Sequence, residues 1–133
     1  MLSPNYYFLA AGVLCVLLGL AHSILGEILI FHPKRKKGRM VPTIGEEGLA
    51  GRYLGIIWAT WHLATIFGWL IGAMLIEMAY WSVNENATFV FQMINGAALS
   101  MFVGALFVLV GTKGQHLGWI VLCGIGVLLL LGM

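Results

Sequence analysis

The sequence predicts an all-α integral membrane protein: a four-helix bundle with short loops and both termini outside. Three observations carry this: an apolar composition, four apolar runs long enough to span, and basic residues confined to one side. Hydrophobic residues make up 61% of the chain and charged residues 9%. A soluble domain has about 25% charged and about 45–50% apolar residues. A water-soluble fold of this length would therefore expose apolar patches well beyond what a monomer tolerates. With 133 residues and about 20 consumed per crossing, the chain has room for one transmembrane domain, 1–133, and no soluble catalytic domain beside it. Cys15 and Cys123 lie inside apolar runs and read as small buried hydrophobes, not as the disulfide framework of a small secreted domain.

The spans are predicted at about 6–31, 49–78, 89–111 and 117–133. The fourth is short and either stands upright or ends within the interface. All seven Lys and Arg residues fall on one side: Lys34, Arg35, Lys36, Lys37, Arg39 and Arg52 around the first connection, and Lys113 in the third. The opposite side has only Glu77 and Glu85. By the positive-inside rule the basic loop 33–39 is cytoplasmic, in a cell membrane, with Tyr6, Tyr7, Tyr80 and Trp81 as outer-interface anchors. The basic run is read as an orientation signal, with contact to anionic lipid as a by-product and no nucleic-acid role.

Small residues then predict how the helices approach. Gly12, Cys15, Gly19, His22 and Gly26 form one stripe of the first span. Ala97, Ser100, Gly104 and Gly111 do the same in the third, and Gly55, Ala59, His62, Thr65, Trp69 and Gly72 line the second. In lipid, such stripes let backbones come close and gain dispersion.

Polar residues at depth are the candidate functional groups, because an ionisable side chain inside a span is costly unless it is partnered. From a rise of about 1.5 Å per residue, His22, His62 and Ser100 lie about 12–16 Å from the inner rim. Their shared depth predicts a polar layer and makes these three the candidate cofactor-binding residues. His22 and His62 could offer two axial nitrogens to a haem, act as interhelical hydrogen-bonding glue, or handle protons. A non-haem metal has no evident ligand set, since five residues of helix turn Glu27 about 140° away from His22. Glu27 is instead expected to pair with Arg52, which matches its depth. Trp58, Trp61 and His62 crowd together as aromatic walls would around a quinone or porphyrin, and equally as helix packing would.

The motif Ala21-His22-Ser23-Ile24-Leu25-Gly26-Glu27, followed by Trp61-His62-Leu63, resembles a family of small uncharacterised bacterial four-helix membrane proteins with AHSxLGE in the first helix and a WH pair in the second. The resemblance covers the first half of the chain. It implies a bacterial inner-membrane location, matching positions at His22, Ser23, Glu27 and His62, and no activity. No phosphate loop, HExxH, CxxC or acidic pair lies in a span, and no catalytic residue is assigned. Three functions stay open: an accessory or structural subunit that binds partner helices in a homo-oligomer or larger membrane complex, a haem- or quinone-binding bundle, and an oligomeric small transporter or channel.

Overall fold

A computed structural model describes residues 4–45, 48–80 and 87–133. Among these the fold is helical throughout: α1 Tyr6–Gly26, α2 Gly51–Met78, α3 Ala87–Gly111 and α4 Gly118–Leu131. The segments Tyr6–Lys34, Gly51–Met78 and Thr88–Val110 are each long and apolar enough to cross a membrane. The fourth helix is shorter than predicted. Its 14 residues rise about 21 Å, against a hydrocarbon core of about 30 Å. Its start is set by His116, whose Nδ1 accepts the Gly118 N–H at 3.0 Å. Trp81 and Glu85, predicted at the outer interface, lie outside the described residues.

The first span ends in an irregular way. After Gly26 the helix widens into a π turn, Glu27–Phe31, and then tightens into a 3-10 turn, His32–Lys34. Pro33 accounts for this. It has no N–H for the carbonyl four residues back, and the ladder is carried instead by the His32 N–H on the Glu27 carbonyl. Such π turns recur at functional sites.

Two compact units make up the chain. The first comprises residues 1–18 and 70–133. Its core gathers Phe8, Ala11, Cys15, Leu75, Ala79, Ile94, Ala98, Met101, Ile125 and Leu129, all apolar. Asn5 ties three helix ends together there. Its Oδ1 accepts the Tyr7 and Phe8 N–H groups as the α1 cap, its N–H donates to Ala79 O at 2.7 Å, and its Nδ2 donates to Gly132 O at 2.7 Å. The second unit, 19–69, is the α1–α2 hairpin with its loop.

The α1 stripe packs as the sequence predicts. A Cβ on Gly12 would stand 2.7 Å from the Gly72 carbonyl oxygen and from Ile76 Cγ1. A Cβ on Gly19 would stand 2.7 Å from Trp69 Nε1, and one on Gly26 would collide with the Trp61 indole. The α3 stripe lies at the edge of the covered face: Ala97 packs against the core and Gly104 is half-buried toward Leu122, whereas Ser100 is exposed. The buried row is Ile94, Ala98, Met101 and Ala105, about 100° around the helix from the row through Ala97 and Gly104. Spacing in sevens marked small residues without marking the centre of the covered face. In α2, Thr65 and Gly72 of the predicted row are buried, whereas Ala59 is exposed.

Candidate functional site

The polar groups of the second unit meet near the loop end of the hairpin, and helical phase brings them together. Ser23 and Glu27 stand four residues apart on α1 and the π turn, and Trp58 and His62 stand four apart on α2. Residues at that spacing share a helix face. The two faces meet through His62. Ser23 Oγ lies 2.6 Å from His62 Nδ1, and Glu27 Oε2 lies 3.6 Å from His62 Nε2. The imidazole is thus held between a hydroxyl and a carboxylate, one at each ring nitrogen.

The carboxylate is itself anchored. Arg35 donates from Nη2 to Glu27 Oε2 at 2.8 Å, and its Nη1 pairs with Oε1. Trp58 Nε1 donates to Oε2 at 3.3 Å. The Glu27 side chain keeps 29% of its exposure and that of Arg35 20%, so the pair is largely out of solvent and needs these partners. A carboxylate beside Nε2 favours the tautomer with a proton there, which leaves Nδ1 to accept from the Ser23 hydroxyl.

This corrects the expected Glu27–Arg52 pair. Arg52 lies on the exposed first turn of α2, where its Nη2 donates to the Tyr53 hydroxyl at 2.9 Å and its guanidinium covers the Tyr53 ring. Depth along the helices matched Arg52 to Glu27, but the 3-10 turn and the extended backbone at Arg35 (φ −98°, ψ 142°) return a nearer guanidinium to the carboxylate.

Aromatic rings wall the cluster. The His22 ring stacks on Trp61 at 4.1 Å with 6° between planes, and Trp61 Nε1 donates to the His22 carbonyl at 2.9 Å. Phe31, fully buried, sets its edge against Trp61 and lies 6.1 Å from His62. Trp58 meets His62 edge-on at 5.0 Å. Gly26 makes room for the indole of Trp61, since any side chain there would occupy the space of its five-membered ring.

The predicted candidates therefore have separate surroundings. His62 is the centre of a polar cluster and His22 is part of an aromatic stack. Ser100 belongs to the first unit, on the exposed face of α3, where its hydroxyl donates to the Gly96 carbonyl at 2.8 Å. A bis-histidine haem needs a nitrogen lone pair from each imidazole. Both His62 nitrogens face protein groups, Ser23 Oγ at Nδ1 and Glu27 Oε2 at Nε2, so the cluster as built does not fit that group. No three His, Cys, Asp or Glu side chains gather to hold a metal ion among the described residues. The cleft lined by Ile71, Met74, Met93 and Ala97 in the first unit carries no polar side chain that could bond a quinone oxygen.

Sequence reasoning missed Arg35 as a member of the site, whereas Ser23 was already among the positions it singled out. The signal for Ser23 was present in the Ser23/Glu27 and Trp58/His62 spacings. No protein-family model matches the chain, nor does any curated protein or solved structure. The arrangement of residues is then the guide to function.

Proposed function

We propose that this chain is a small multi-pass membrane protein of the transport class, with a proton relay in the α1–α2 hairpin as its working centre. The observation that carries the reading is His62 set between the Ser23 hydroxyl and the Glu27 carboxylate. An imidazole can take a proton at one nitrogen and release it from the other, and chains of acidic, hydroxyl and imidazole groups are what proton-conducting membrane sites are built from. Arg35 and Trp58 hold the carboxylate in place, and the stacked His22 and Trp61 keep the hairpin closed around it. The proposed orientation puts the basic loop 33–39 in the cytoplasm and both termini outside, with α4 crossing at a thinned or interfacial stretch of bilayer.

Reconstitution tests this. Liposomes carrying an internal pH dye and a potassium diffusion potential should take up protons when they contain the protein. His62→Ala should abolish uptake, Glu27→Gln and Ser23→Ala should each slow it at least tenfold, and His22→Phe should leave it near wild type. Uptake equal to that of protein-free liposomes contradicts the proposal. Reporter tags at the N-terminus and at Arg35 test the orientation, which fails if both report one compartment.

A second reading, an accessory subunit that binds partner helices, is favoured by a separate feature. Gly96 and Ser100 are spaced by four on the open face of α3. A Cβ on Gly96 would meet nothing within 4 Å, and Ser100 is exposed. Small residues spaced by four are a common seam between membrane helices. Crosslinking of a Leu99→Cys variant to a second helix supports this reading if the crosslink is lost on Gly96→Leu. Failure to crosslink in native membranes removes it.

A further inference from the structure

We infer that the loop between α1 and α2 is a docking site for the phosphate of anionic phospholipids. The loop is folded. The Arg39 N–H donates to the Lys36 carbonyl at 3.0 Å, closing a turn with Gly38 at φ +80°. The Thr43 and Ile44 N–H groups both donate to the Lys34 carbonyl at 2.9 Å, and Pro42 is fully buried. Three cations, Lys36, Lys37 and Arg39, are thereby fixed on one exposed turn.

Charge balance around the turn is uneven. Arg35, the cation next to it, is committed to Glu27. No carboxylate among the described residues pairs with Lys36, Lys37 or Arg39. Glu46 and Glu47, further along the same connection, lie outside the described residues. Even with both counted, the six cations at 34, 35, 36, 37, 39 and 52 outnumber the carboxylates at 27, 46 and 47. Beside the cations stand apolar side chains in the open, Met40 at 74% exposure and Ile44 at 41%. Cations for a phosphate and apolar groups for the chain below it are the two halves of an amphiphile's binding site.

Orientation in the membrane requires only that basic residues be present on one side. It does not require a closed turn with glycine at positive φ, nor a carbonyl that accepts two N–H groups. That geometry arranges the charges, and arranged cations at the end of a membrane span meet lipid headgroups before any soluble anion. Phosphatidylglycerol represents the class.

The test uses the whole protein purified in detergent, where orientation in a bilayer plays no part. It is offered mixed micelles of phosphatidylglycerol and phosphatidylcholine, and the retained lipid is counted by native mass spectrometry. Wild type should retain phosphatidylglycerol over phosphatidylcholine by roughly a hundredfold, at about fivefold per cation. The preference should shrink in high salt. Lys36→Gln, Lys37→Gln and Arg39→Gln together should erase it. Gly38→Val keeps every charge but is strained at positive φ, and should reduce the preference while helicity by circular dichroism is unchanged. Equal retention of the two lipids by wild type overturns the proposal, as does a triple variant that behaves like wild type. Displacement of the lipid by millimolar inorganic phosphate also overturns it, because the site would then recognise a free anion.

Discussion

The two units of this protein hold their helices by different means, although α1 and α2 contribute to both. In the unit formed by 1–18 and 70–133, the buried contact is apolar, with Asn5 bonding the helix ends at its edge: Gly12 lies against the Gly72 backbone, and Phe8, Cys15, Leu75, Ile94 and Leu129 share one core. In the 19–69 unit the same two helices are joined by an imidazole between a hydroxyl and a carboxylate, an ion pair and stacked rings. The first unit gains mainly from close apolar packing. Directional bonds between polar groups hold the second, each group made costly by burial if left alone. Packing tolerates many side chains of similar shape. A polar cluster tolerates few, which is why the proposed chemistry is assigned to the second unit.

The sharpest contrast comes from removing one anchor of each unit. Leu129→Ala, at a fully buried site, should cost about 2–4 kcal/mol of stability as cavity and lost contacts, measured by unfolding in detergent. In the polar unit, Glu27→Gln should cost about 2–3 kcal/mol because it strands the Arg35 charge. The double change Glu27→Gln with Arg35→Gln should recover most of that loss. Two leucine truncations in the apolar unit should instead lose the sum or more. If the carboxylate and guanidinium variants were additive, the polar unit would be no different in kind from the apolar one.

Smaller effects refine the comparison. Gly26→Ala should cost about 1–3 kcal/mol as overpacking against the Trp61 ring, visible as a lowered melting temperature and a changed tryptophan emission. His22→Ala loses a stacked pair worth about 0.5–1.5 kcal/mol. Ser100→Ala removes only a hydroxyl bonded to its own helix and should stay within about 0.5 kcal/mol of wild type.

Much of the fold was legible because three of the helices are apolar and long, and because Gly12, Gly19 and Gly26 mark a close approach by size alone. The centre of the covered α3 face was not legible. Small residues in sevens lie at 97 and 104, whereas the covered row, at 94, 98, 101 and 105, mixes Ile, Ala and Met whose apolar character lipid also accepts. His62 stood out as an imidazole at depth. Its partners depended on phase across two helices, and the spacing of Ser23 with Glu27 and of Trp58 with His62 contained that phase. Arg35 could not be read, because its return to Glu27 follows from the π and 3-10 turns that Pro33 forces on the end of the first span. Depth alone therefore selected Arg52.

In the proposed relay His62 is the group that accepts the conducted proton at one ring nitrogen and releases it from the other, with the Ser23 hydroxyl at Nδ1 and the Glu27 carboxylate at Nε2 orienting the ring. Solid-state nitrogen NMR of histidine-labelled protein in lipid tests this, with the His62 signals assigned as those lost in His62→Ala among the four histidines. The account predicts that neutral His62 carries its proton on Nε2 with Nδ1 accepting a strong hydrogen bond. It also predicts that Ser23→Ala moves the Nδ1 resonance toward that of a free nitrogen, and that Glu27→Gln shifts the tautomer balance. A His62 ring protonated on Nδ1 and indifferent to both substitutions would contradict the relay.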